Sequence, residues 1–350
     1  MPRLNFLRPI TTFGKCLGLF PYCDWRDGAP KCPVANKIVA IVTSSFLIFG
    51  TFFFNSPPEM MSKPKFVRNA AYLRKMILTL SAINCYLTTN VFDPKGYQAL
   101  IYCSNRCDIL FGLKTSKIFD IIAVILAFNL YLFTLISYDI YYLHGRDQTI
   151  FYIFQAFESY LLFVTIFIVI TYFVFIDKIL KGFLERLAKP QTDVRRLRAL
   201  GASFHNICDL IGYFNQVFGA QLALIAILLQ IDIVITINSL LVTEFTDIPP
   251  MFKSHICWTI TCIVPVILGT QSCENIKRKL KSIRDMCSRN IYRCNGDARN
   301  EFMVLAKQVM TRSPKISAAG LQNIDNMFLF NYSNIIVSYL VVMVQLSQLK

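Results

Sequence analysis

The sequence predicts an all-α membrane protein built from seven transmembrane helices. Three observations carry that expectation. Of the 350 residues, 55% are hydrophobic and only 16% charged, whereas soluble globular domains carry about a quarter charged residues. Seven stretches are apolar over windows of about 19 residues, the length that crosses a bilayer's hydrocarbon core. The Lys and Arg residues collect between these stretches and favour alternate connections.

Residues 1–37 are basic and contain five prolines. They show no apolar core ahead of a small-residue cleavage site, so the first span is expected to act as its own signal. The spans are expected at 38–54, 76–92, 118–138, 150–176, 214–242, 256–273 and 327–349. The second is diluted by Asn84, Thr88, Thr89 and Asn90, and Arg74 and Lys75 stand at its start.

Orientation follows from charge. The N-terminus and alternate connections hold 28 Lys and Arg residues, the other set 8. The positive-inside rule therefore places residues 1–37 in the cytoplasm, and seven spans then leave the C-terminus outside. The weak point is the first external connection, where Lys63, Lys65, Arg68, Arg74 and Lys75 stand on the wrong side. A G-protein-coupled receptor has the opposite orientation. Its Asp/Glu-Arg-Tyr signature is also missing after the third span, which ends Leu135-Ile136-Ser137-Tyr138.

The expected domains are the cytoplasmic segment 1–37, a helical bundle with cytoplasmic loops over 38–273, a cytoplasmic helical anchor over 274–326 and a last span over 327–350. In the anchor, Ile276, Leu280, Ile283 and Cys287 recur at helical spacing beside Lys277, Lys279, Lys281 and Arg284. That pattern describes a helix with one face on a partner and a basic face in solvent or at lipid headgroups.

The net charge of +15 reads as membrane orientation, and no nucleic-acid-binding signature accompanies it. Twelve cysteines and three histidines form no metal-ligand spacing, so no metal or other cofactor is expected. No pattern of a membrane-embedded hydrolase or acyltransferase occurs, and an enzyme is not expected. The halves share no pair of broken helices, which weakens a transporter reading.

The last span carries the sharpest signal. Asn331, Asn334, Ser338, Gln345 and Gln348 fall within about one third of the helix circumference at 100° per residue. An amide or hydroxyl facing lipid costs about a kcal/mol or more. The stripe therefore faces either partner helices or water.

The run Ser338-Tyr339-Leu340-Val341-Val342-Met343-Val344-Gln345-Leu346 resembles the C-terminal signature of insect gustatory receptors: Thr-Tyr, five hydrophobic residues, Gln-Phe. Ser338 replaces the Thr and keeps its hydroxyl; Leu346 replaces the Phe. Residues 7–22 and 316–340 are similar to the family's stretches before its first and last spans.

The resemblance implies a ligand-gated cation channel of chemosensory neurons, multi-pass in the cell membrane. It implies a homo- or heterotetramer with other gustatory receptors around the last helix, passing monovalent and divalent cations. On that reading Asn334, Ser338, Val342 and Gln345 line the pore, Gln345 and Leu346 stand at its constriction, and Tyr339 supports gating from the packed side. The family also implies a ligand pocket open to the outside. The candidates in the outer bundle are Tyr138, Gln155, Glu158, Tyr160, Asp232, Asn238 and Trp258, aromatic faces with a few polar groups suited to a small organic tastant. Bitter plant compounds are the first expectation and sugars the alternative. A transporter, or a scaffold subunit without its own current, is the reading from another class.

Overall fold

Helices make up nearly all of the computed structural model. It describes residues 7–17, 19–20, 34–53, 65–112, 127, 129–131, 133–134, 137, 149–189, 193–242, 250–312 and 314–348. The helices are α1 (Arg8–Cys16), α2 (Val34–Phe53), α3 (Lys65–Leu87), α4 (Pro94–Phe111), α5 (Thr149–Ala188), α6 (Val194–Val242), α7 (Pro250–Arg293), α8 (Gly296–Thr311) and α9 (Asn326–Gln348). One hairpin, β1 (Ser317–Ala318) and β2 (Gln322–Asn323), joins α8 to α9. The expected third span lies largely outside the described residues.

Helices α5, α6 and α7 have 40, 49 and 44 residues. At 1.5 Å per residue they reach about 60–75 Å, at least twice the roughly 30 Å of a hydrocarbon core. Among the described residues, α2, α5 and α6 contain stretches long and apolar enough to cross a membrane, and Asn326–Val342 forms a shorter apolar run.

The segments 177–213 and 274–326 between expected spans are therefore mostly helical. They are continuations of α5, α6 and α7, completed by α8 and the hairpin. The expected boundary at 273/274 falls inside α7. Its apolar row behaves as the spacing predicts: Ile276, Ile283 and Cys287 are buried and Leu280 packs beside them, while Lys277, Arg278, Lys281 and Arg284 are exposed. This face packs within the chain, where α7 lies against α5 and α8. Lys279 departs from the basic row: its Nζ donates to Asp177 Oδ1 at 2.6 Å on α5.

The apolar core divides in two. The larger part joins the lower lengths of α5, α6 and α7 to α1, α4 and α8, with Phe183, Phe204, Phe214 and Phe302 fully buried. The smaller part, around Phe163, Ile166, Ile225, Leu228, Phe328 and Tyr332, lies beside α9. On α2, Ile38, Val42, Phe46 and Phe49 point outward, as a lipid-facing stripe must.

The polar residues that dilute the second span are bonded inside the bundle. After α3 the chain widens into one π turn, Thr88–Phe92. There Thr89 Oγ1 donates to the Leu19 carbonyl at 2.5 Å and Asn90 Nδ2 to the same oxygen at 3.4 Å. Asn84 Nδ2 donates to Gln221 Oε1 at 2.9 Å. The stretch after α1 is thus stitched under α3, and Phe20 stacks on Tyr97 with centroids 4.8 Å apart. Helix α4 starts where Asp93 accepts the Gly96 N–H at 2.8 Å with Pro94 in the first turn, and stops at left-handed Gly112.

Candidate functional site

Helix α9 has two faces, and both follow from its sequence. Phe328 and Tyr332 are buried, and Leu329, Ile336, Tyr339 and Leu340 are half-buried. At 100° per residue these positions share one side. Tyr332 donates its hydroxyl to the Ala226 carbonyl on α6 at 2.8 Å, and its ring lies 5.7 Å from that of Phe328.

The amide-bearing stripe lies on the other side. Asn331, Asn334, Ser338 and Gln345 are all exposed, as is Val342. The side chains of Leu346 and Gln348 lie outside the described residues. Among the described residues, no helix of the same chain covers the four exposed polar groups. Left against lipid, they would cost several kcal/mol together at about one or more each.

The outer-bundle candidates do not converge on one point. Glu158 is 2% exposed and faces α2 and α3: its Oε1 accepts from Thr79 Oγ1 at 2.7 Å and from Thr51 Oγ1 at 3.3 Å. Asp232 on α6 pairs with the Arg74 guanidinium on α3. Tyr160 turns another way and donates to Asn129 Oδ1 at 2.6 Å. Trp258 stacks on Phe163, with centroids 5.4 Å apart and planes 22° apart. Tyr138 and the side chains of Gln155 and Asn238 lie outside the described residues.

Sequence reasoning missed Arg74, Thr79 and Thr51 as the partners of the two acids. One signal was available. Two carboxylates at membrane depth need partners, and two cations, Arg74 and Lys75, stand at the start of the neighbouring span.

Tyr160 and Trp258 both pack on the smaller apolar cluster, which also contains Phe328 and Tyr332 of α9. The outer candidates are thus joined to the foot of the striped helix by contiguous apolar contact. At that foot a small cleft of about 50 Å³ opens between α5, α6, α7 and α9, walled by Ile166, Phe173, Leu222, Pro265, Gly269 and Phe328. That is room for a few waters and not for a drug-sized ligand.

A helical bundle with a largely buried ion pair, lipid-facing apolar stripes and one helix of divided character defines a multi-pass membrane protein. A family model described as 7tm Chemosensory receptor matches residues 7–350, and the chain belongs to that family. The fold is shared with the insect olfactory receptor OR5 from Machilis hrabei, at a TM-score of 0.65 and 12% identity over 97% of each chain. The same receptor in complex with eugenol matches at a TM-score of 0.62 and 11% identity, over 97% of this chain and 98% of that one. No curated protein sequence matches the chain.

Proposed function

We propose that the protein is a gustatory receptor of chemosensory neurons, acting as a ligand-gated, non-selective cation channel opened by small organic tastants, bitter plant compounds first among them. The observation that carries this reading is the stripe of Asn331, Asn334, Ser338 and Gln345, which is exposed among the described residues. Four copies of α9, from one gene product or with related receptors, turn these side chains to a shared aqueous axis. Amide and hydroxyl oxygens there replace part of a cation's water shell, and apolar side chains such as Val342 and Leu346 close the path by dewetting. Exposed acidic side chains do not accompany the stripe on α9, which fits weak discrimination among cations.

Ligand contact is assigned to the region of Tyr160 and Trp258, whose packing continues to Phe328 and Tyr332. Glu158 and Asp232 serve better as interhelical bonds than as ligand contacts, because both are already occupied by hydroxyls or a guanidinium.

The deciding experiment expresses the protein alone and records current during a panel of bitter compounds and sugars. A tastant-evoked cation current independent of G-proteins supports the reading. Gln345→Ala should shift permeability ratios and leave the order of effective ligands unchanged. Surface-expressed protein that never carries current points instead to a transporter or scaffold subunit.

A further inference from the structure

The connection between α8 and α9 is built, not slack. Ser317 pairs with Asn323 and Ala318 with Gln322. The turn is closed by the Leu321 N–H on the Ala318 carbonyl at 2.9 Å, and the Ile324 N–H reaches the Ile316 carbonyl at 3.0 Å. The chain leaves this hairpin at Ile324 and reaches the cap of α9, Asp325, one residue later.

The hairpin rests on α6 through two residues one turn apart. Asn215 Nδ2 donates to the Lys315 carbonyl at 2.6 Å, and Asn215 Oδ1 accepts the Ser317 N–H at 3.1 Å. Bonded on both sides, this side-chain amide takes the place of a neighbouring strand's peptide group. Gly219 lets the backbones close in: a Cβ there would lie 3.0 Å from the Ala319 nitrogen and 3.3 Å from its Cα. Two to three turns before Asn215, Arg312 reaches His205 Nδ1 at 2.5 Å and Asp209 Oδ1 at 3.5 Å.

Helix α6 also reaches the outer bundle. Asp232 pairs there with Arg74, and Thr236 bonds Thr259 at 2.9 Å. It is one uninterrupted helix over Val194–Val242. It therefore joins the outer bundle to the hairpin that carries α9.

We propose that Asn215 is a positioning residue for gating, whose two-sided amide bond ties the hairpin, and with it the foot of α9, to the movement of α6. The inference rests on the channel reading. A displacement of α6 of one or two ångströms, the scale of helix shifts in switching proteins, is delivered to Ile324 and Asp325 because the clamp resists stretching. Without the clamp, α9 is left with its direct contacts to α6, chiefly the Tyr332 hydroxyl on the Ala226 carbonyl, and follows α6 less completely.

The test uses the full-length protein with Asn215→Ala, Asn215→Asp and Gly219→Ala. Asp keeps the acceptor for Ser317 but sets a carboxylate oxygen against the Lys315 carbonyl. Gly219→Ala presses the hairpin away from α6 by a few tenths of an ångström without touching Asn215, and Ala is the better helix former, so α6 itself is not weakened. Two readouts are taken at matched surface expression. Amide hydrogen exchange over 316–328 in purified protein should accelerate by about fivefold or more, the equivalent of one lost hydrogen bond. Maximal tastant-evoked current should fall by a similar factor of about five, while the half-saturating concentration stays within about twofold and the reversal potential does not move.

Faster exchange with parent-like maximal current overturns the proposal, and so does unchanged exchange in Asn215→Ala. Loss of folded protein in both Asn215 variants leaves Gly219→Ala to decide by the same criteria. A parent that carries no tastant current overturns the channel reading itself, and the exchange measurement tells that failure apart from failure of the clamp.

Discussion

Lys277 on α7 holds the carboxylate that caps α9. Its Nζ lies 3.0 Å from Asp325 Oδ2, while Asp325 Oδ1 accepts the N–H groups of Met327 and Phe328 at 3.1 and 3.2 Å. One side chain thereby satisfies two of the helix's open donors and binds its start to a neighbouring helix.

The pair makes a prediction about pH. Partial burial pushes the Asp325 carboxyl up, but the Lys277 ammonium and the two N–H groups outweigh it and hold the carboxyl below its usual range. Lys277 is raised above the usual lysine range, first by its bond to Asp325. An acid depressed on folding contributes stability above its unfolded pKa, and loses it as pH falls through the folded value; a raised base contributes below its unfolded pKa, and loses it as pH rises through the folded value. The contribution is thus flat across neutral pH. Asp325→Asn keeps a capping oxygen and loses only an exposed ion pair, worth about 0–1 kcal/mol. Asp325→Ala loses the cap as well, about 1 kcal/mol more. Melting in detergent should show a constant gap between parent and Asp325→Asn from about pH 5 to 9, closing below about pH 4. A gap that varies near neutrality would point to another group.

The side chains of Arg74 and Asp232 are 16% and 9% exposed, so the charges of the pair sit largely out of water. Removing one partner of such a pair costs about 3–5 kcal/mol, whereas replacing both with apolar residues of similar volume is often close to neutral. Arg74→Leu and Asp232→Leu should each sharply reduce the yield of monodisperse receptor, and the double variant should recover most of it. If the double variant is no better than the worse single one, the pair is not what holds α3 to α6.

Glu158 calls for the opposite expectation. Its two donors, Thr79 and Thr51, also reach the carbonyls of Lys75 and Leu47 at 3.0 and 2.8 Å, so neither hydroxyl is stranded when the carboxylate goes. Glu158→Gln should retain nearly full stability, and Glu158→Ala should cost about 1–2 kcal/mol. In both, the ranking of effective tastants should match the parent. A changed ranking would return Glu158 to the ligand site.

The legible parts of this molecule are those that obey a period. Among the described residues, six of the seven apolar runs fall on helices, the third lying largely outside them, and the α7 row of Ile276, Leu280, Ile283 and Cys287 meets the core as its spacing requires. The hidden parts are pairings across distance. Arg74 looked like a charge on the wrong side of the membrane because its partner stands 158 positions later. Asn84, Thr89 and Asn90 looked like flaws in a span because their acceptors lie on α6 and after α1. The scatter of Glu158, Tyr160 and Asp232 had the same cause: being near the same depth says nothing about which way each side chain turns. The hairpin had no signal of its own, since two-residue strands are too short to show alternation and its turn is Ala-Gly where Asn-Gly or Asp-Gly is the usual mark.

That turn supplies a last prediction. Ala319 and Gly320 both have positive φ, 53° and 72°, the arrangement of the tight turns that match strand twist. Gly320 adopts it freely, but for Ala319 the left-handed region costs about 1–2 kcal/mol. Ala319 is exposed, so a new side chain meets solvent and packing does not obscure the result. Asn tolerates the conformation and should raise stability by about 0.5–1 kcal/mol. Gly removes the strain and loosens the unfolded chain by about 0.4–1 kcal/mol, leaving a net gain of about 0.5–1 kcal/mol. Val, branched at Cβ, should be worse than the parent. Thermal midpoints with Asn and Gly above the parent and Val below it establish the strain, and Val equal to the parent refutes it. Because this turn sits on the connection to α9, the Asn variant also asks whether a stiffer hairpin delivers α6 movement to the last helix more completely, read as a higher maximal current at the same half-saturating concentration.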